Sequence, residues 1–149
     1  MDVAPYNSVL DEVVTYALLP PLNVSGASVK KLNLRLALYY QNRDDSEFDV
    51  VVSEDFAGDF ATASWTKVDN LTFGQAAETN VWVGHSVDLS DYASATSLAV
   101  ALRYTGKSNT YRLDNVSFGV EPEADSYDPG TPVSSITSDQ VNEWMELPA

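Results

Sequence analysis

Thr110-Tyr-Arg-Leu-Asp-Asn-Val-Ser-Phe118 decides how this chain is read. The stretch reads as a closing β-strand whose alternation slips by one residue at Asp114-Asn115. Leu113 is expected to face the core, and so are Val116 and Phe118. An odd step between them in an element of period two requires a β-bulge or a local kink. Such a bulge re-aims Asp114, whose carboxylate then either caps the bulge backbone or contacts a cation or ligand.

Upstream of that strand, Leu98, Val100, Leu102 and Tyr104 alternate with Ala99, Ala101 and Arg103, and Gly106 to Asn109 turns the chain into Thr110. Before these, Val81, Val83, Val87 and Leu89 mark one face of a strand, with His85 on the same side and Trp82, Gly84, Ser86 and Asp88 on the other. Asp88 to Tyr92 reads as a turn. Leu32, Leu34, Leu36, Leu38 and Tyr40 alternate with Asn33, Arg35, Ala37 and Tyr39, the pattern of a half-buried strand. Gln41 to Asp45 is a polar hairpin turn, after which Phe48, Val50 and Val52 point inward and Glu47, Asp49 and Ser53 outward. Glu54 to Thr62 reads as a loop, Trp65 to Val68 as a short strand, and Asn70 to Asn80 has no regular pattern. At the front, the apolar segment Val9 to Leu19 ends at Pro20-Pro21, which cannot continue a ladder.

Seven strands with closely spaced turn signals and no amphipathic helix before Ser138 predict an all-β fold, an antiparallel, jelly-roll-like β-sandwich over residues 1–120. From residue 121 to 149 the composition changes to an acidic, Pro- and Ser-rich stretch with Pro122, Pro129 and Pro132, read as a flexible linker. Ser138 to Leu147 then opens either a short helix with Ser138 as N-cap or the start of a further domain.

The chain has 149 residues, a length that suits one domain with a tail. Acidic residues outnumber basic ones 22 to 8, for a net charge of −14 and a pI near 4.1. That balance repels nucleic acid, whose binding relies on Lys and Arg at the phosphates, and it repels anionic membrane as well. The absence of Cys excludes disulfides, thiolate metal sites and a Cys nucleophile. No apolar run reaches the length of a membrane span, and the opening Met-Asp-Val-Ala-Pro has no leader pattern, so direct membrane insertion is not expected.

Arg35, Arg103 and Arg112 occupy strand positions opposite the main apolar set, as do Tyr39 and Trp82. If those strands share one sheet, the five side chains share one surface. Aromatic rings pack the apolar faces of pyranoses, and guanidinium forks supply fixed donors to hydroxyls or carboxylates. The plainer alternative is that the arginines pair across strands with Glu47, Asp49 or Asp88. Trp65, among small residues, is read as core. His85 is the only histidine and is read as a core or rim residue, since no nucleophile motif accompanies it. Asp44-Asp45-Ser46-Glu47 lacks the glycine and spacing of an EF-hand loop and is read as a solvated turn. The triplets Asn23-Val-Ser, Asn70-Leu-Thr and Asn115-Val-Ser are read as chance matches to a glycosylation sequon.

The ordered set Leu19-Pro-Pro-Leu-Asn-Val-Ser, Tyr39-Tyr40, Phe48-Asp-Val-Val-Val-Ser-Glu-Asp-Phe, Ala63-Ser-Trp-Thr-Lys-Val, Val87-Asp-Leu-Ser-Asp-Tyr, Ala101-Leu-Arg-Tyr and Tyr111-Arg-Leu-Asp-Asn-Val resembles bacterial extracellular jelly-roll modules. The likeness is to the choice-of-anchor J and cleaved-adhesin type domains of Bacteroidetes, over residues 17–118. It implies an exported or cell-surface, noncatalytic, lectin-like accessory domain that binds glycan or cell-surface polysaccharide. Its members are similar in shape to carbohydrate-binding modules, some of which bind a structural Ca²⁺ through an acidic residue of the final strand, and Asp114 is the matching position here. The departure is at the front, where such modules carry a longer, aromatic-rich opening that would supply other calcium ligands. Asn142 to Ala149 resembles the opening of a nonspecific endonuclease domain, which makes a spacer that positions a downstream catalytic domain the alternative expectation.

Overall fold

The computed structural model describes residues 2–3, 13–40, 46–73, 77–106 and 109–122. The expected turn at 41–45, with Asp44 and Asp45, and the tail from residue 123, with its linker and further-domain reading, lie outside those residues. Among the described residues eight strands run in order: β1 (Asp2–Val3), β2 (Val13–Leu18), β3 (Lys31–Tyr40), β4 (Glu47–Ser53), β5 (Thr66–Asn70), β6 (Trp82–Asp88), β7 (Ala99–Gly106) and β8 (Thr110–Phe118). The short β1 joins the seven expected strands, and the turn at Asp88–Tyr92 contains one 3-10 turn, Ser90–Tyr92.

Two four-stranded antiparallel sheets result, sheet A in the order β1-β8-β3-β6 and sheet B in the order β2-β7-β4-β5. The first half of the chain pairs with the second half in reverse order, alternately in one sheet and the other. This is the wrapping of a jelly roll, and it makes the molecule an all-β sandwich. The inner face of sheet A carries Leu32, Leu34, Leu36, Leu38, Val87 and Tyr111, and that of sheet B carries Phe48, Val50, Val52, Val100, Leu102 and Tyr104, all essentially inaccessible to water. Each such side chain contributes about 1.5–3 kcal/mol of apolar transfer free energy, before the entropy cost of ordering it. Phe48 and Tyr111 stack across the two sheets at 4.8 Å. At one end, the Asn109 backbone N–H donates to the Tyr104 hydroxyl at 3.3 Å and the Asn109 amide donates to Ser46 Oγ, which ties the β7–β8 connection to the start of β4.

The expected bulge is present. Asn33 pairs with Ser117 and Arg35 with Asp114, so Asn115 and Val116 together stand opposite the single residue Leu34. Asn115 adopts φ +52°, a left-handed conformation that Asn tolerates better than most residues. Leu113 and Phe118 keep their inward positions against the core. Val116 is not packed into it: it is 40% exposed, at the bulge on the part of β8 that β1, paired only at Tyr111 and Arg112, does not flank. Beyond β8, the Gly119 N–H donates to the Lys31 carbonyl, the Asn33 amide donates to the Val120 carbonyl at 2.9 Å, and Lys31 pairs with Glu121 at 2.8 Å. These contacts fold the chain end over one end of sheet A.

Candidate ligand-binding face

Register assigns the outer side chains of sheet A row by row. Trp82 on β6, Ala37 on β3 and Arg112 on β8 form one row, Gly84, Arg35 and Asp114 the next, and Ser86, Asn33 and Ser117 the third. Tyr39 lies one step beyond Ala37 on the same face of β3, since side chains two apart on a strand share a face. Four of the expected binding residues, Arg35, Tyr39, Trp82 and Arg112, therefore meet on one surface. Trp82 is 39% and Tyr39 47% exposed, whereas Ala37 between them is fully covered by its larger neighbours. The exposed Gly84 is the low point of this face, beside taller aromatic and guanidinium side chains.

The Arg112 guanidinium lies 3.8 Å above the centre of the Tyr39 ring, a cation–π contact that fixes both side chains. Arg112 Nη1 also donates to Asn80 Oδ1 at 3.4 Å. Asn80, just before β6, has φ +62° and donates its own N–H to the Leu38 carbonyl at 2.7 Å. Sequence reasoning missed Asn80, which lies at the end of a stretch with no period. The neighbouring Trp82 alternation was the available clue, because it extrapolates one step back to the same face.

Arg103 does not belong to this surface. It lies on β7, in sheet B, on the opposite outside of the sandwich. Its cross-strand partners are Tyr16 and Asp49, and its Nη2 donates to Asp49 Oδ2 at 2.8 Å. Asp49 is completely buried and also meets Lys67 at 3.1 Å, while Lys67 reaches Glu47 at 3.6 Å. The alternation that put Arg103 and Arg112 on outward faces was right, but the faces belong to different sheets.

Asp49, Val51, Ser53 and Ala101 point outward from sheet B and are nonetheless buried. Residues 54–65 cover them. Phe56, Phe60 and Trp65 from that segment pack with Tyr16 of β2, with Phe60 stacked on Trp65 at 5.6 Å and Tyr16 tilted against Phe60 at 4.8 Å. The Trp65 indole N–H donates to the Phe60 carbonyl at 3.3 Å. Asp55 closes the segment by accepting from Ser53 Oγ at 2.6 Å and from the Ser64 N–H at 2.8 Å, and these bonds hold its carboxyl below the ordinary carboxylate range. Trp65 is thus a packing residue, as its small neighbours implied.

Asp114 is exposed, and its Oδ1 accepts the Asn115 N–H at 2.8 Å. It caps the bulge backbone. No group of three or more His, Cys, Asp or Glu side chains gathers around it or elsewhere among the described residues. His85 sits on the inner side of β6, edge-on to Phe73 at 6.2 Å, with Nε2 buried and lacking a hydrogen-bond partner. Burial lowers its pKa, with Asp69 pulling weakly the other way. No family model matches the chain, and no curated protein matches it by sequence.

Proposed function

We propose that this chain is a noncatalytic binding module of an exported or cell-surface bacterial protein, and that the outer face of sheet A receives glycan. The observation that supports the reading is the co-facial placement of Trp82 and Tyr39, both well exposed, with Arg112, Arg35 and the exposed Gly84. A sugar ring resting there meets an aromatic face on one side and planar donors on the other. The resemblance to extracellular jelly-roll modules points the same way. Arg103 leaves the binding set, since it is tied to buried Asp49 on the far sheet.

A spacer domain is the second reading, favoured by one observation: one face of the Tyr39 ring is already taken by Arg112. Binding of the full chain to a panel of host and microbial polysaccharides, with calcium and then with chelator, separates the two. Saturable binding supports the module. Absence of saturable binding across the panel supports the spacer.

A further inference from the structure

The strands of sheet A carry three outward-facing cations, Lys31, Arg35 and Arg112, and each is already engaged within the protein. Arg112 stacks on the Tyr39 ring and donates to Asn80. Arg35 stands directly opposite Asp114 of β8, is half-buried and makes contacts of its own. Lys31, at the start of β3, pairs with Glu121 at 2.8 Å. Three carboxylates border the same face, Asp88 opposite Lys31, Asp114 and Glu121, and all of them are exposed. Ser90 donates to Asp88 through its hydroxyl and its N–H, which holds that carboxyl below the ordinary carboxylate range and keeps it charged at neutral pH. Even before Asp2, the register partner of Arg112, is counted, the three positive and three negative groups cancel. The face is therefore formally uncharged, on a chain of net charge −14. A polyanion meets no local attraction there and the repulsion of the whole molecule.

What the face does expose suits an uncharged sugar. Along β6, Trp82, Gly84 and Ser86 point outward in unbroken register with β3, and all three are exposed. Successive outward positions on an antiparallel strand lie about 7 Å apart, so an indole, an open backbone position and a hydroxyl follow one another along a straight track. The indole packs the C–H face of a pyranose without any charge on the sugar. Gly84 has no side chain to hold a ring away from the backbone. Ser86, and Ser117 across the same row, offer hydroxyls that both donate and accept, as sugar hydroxyls do. We infer, on the footing of the glycan reading, that the ligand is a neutral polysaccharide laid along β6 from Trp82 to Ser86, and that the face discriminates against polymers bearing uronate or sulfate groups.

Calorimetric titration of the full chain with neutral β-glucan, mannan and galactan, and with polygalacturonate and chondroitin sulfate, each in low and in high salt, tests this. The expected result is saturable binding to a neutral polymer that changes less than about twofold with salt, and binding to either polyanion that is weaker by about tenfold or more. Asp114→Asn keeps the oxygen that caps the bulge and removes one bordering charge; it is expected to strengthen polyanion binding about threefold and to leave the neutral polymer's affinity unchanged. Gly84→Val, with folding verified by circular dichroism, fills the middle of the track and is expected to weaken the neutral polymer about tenfold. Binding to a polyanion that equals or exceeds the neutral polymers, with an affinity that falls as salt rises, overturns the inference and leaves the binding-module reading standing. Full affinity in a folded Gly84→Val overturns the placement along β6. No saturable binding to any of the five polymers overturns the inference and the module reading together.

Discussion

On sheet A the outward Trp82 of β6 and Tyr39 of β3 remain well exposed among the described residues, whereas on sheet B residues 54–65 fold across a surface built by the same alternation. The two faces contain similar ingredients, aromatic rings beside guanidinium groups. Their physics differs. On sheet B, Arg103 is bound to a fully buried carboxylate and Trp65 is packed among three other rings, so these residues stabilise the fold. On sheet A, Trp82 and Tyr39 keep large exposed areas, so they contribute little to the fold and are available to a ligand. Residue type therefore does not distinguish a binding face from a packing face; what covers it does.

The largest test of this contrast is Arg103→Met. It leaves Asp49 buried with only Lys67 for compensation, and the expected destabilisation is about 2–3 kcal/mol, read from the denaturant midpoint. Arg112→Met, on the open face, is expected to shift the midpoint by less than about 1 kcal/mol. Equal losses in the two variants would break the distinction between the faces.

Trp65→Ala is the next largest. Removing a half-buried ring from the Tyr16, Phe56 and Phe60 cluster is expected to cost about 2 kcal/mol and to expose residues 54–65 to proteolysis, while any ligand bound on sheet A keeps its affinity. Loss of binding with the fold intact would move the site to sheet B.

A smaller effect comes from His85, between the sheets. Its pKa in the fold is lowered by burial, so the unfolded chain takes up a proton more readily. Stability is therefore level above the ordinary histidine pKa of about 6.5 and falls as pH drops from there through the lowered folded value. Denaturant midpoints measured down this range should show the fall in the parent chain and a flatter profile in His85→Gln. Identical profiles would mean that the imidazole is solvated rather than packed against Phe73.

Much of this arrangement is legible in the sequence. The odd separation of Leu113 and Phe118, which both pack on the core, announced the bulge, because period two leaves no other way to turn these two positions to one side, while the inward expectation for Val116 was not met. Which sheet each strand joins was not legible, since alternation gives a face but carries no information about long-range pairing. Hence Arg103 and Arg112 looked equivalent. The covering of sheet B had one clue in Val50-Val51-Val52, where Val51 is apolar at an outward position and implies burial on both sides. Phe56 and Phe60, set without period among Gly and Asp residues, gave no indication that they would supply the cover.

The most direct test of the central claim, that sheet A bears the open recognition face, is a side-by-side binding titration of the parent chain, Trp82→Ala and Trp65→Ala against any polysaccharide that the panel yields, with folding verified for each protein. The account predicts that Trp82→Ala stays about as stable as the parent and loses binding by tenfold or more, roughly the contribution of one aromatic–sugar contact, while Trp65→Ala loses stability and keeps its affinity. Full affinity in Trp82→Ala, with binding lost in a folded Trp65→Ala, would contradict it.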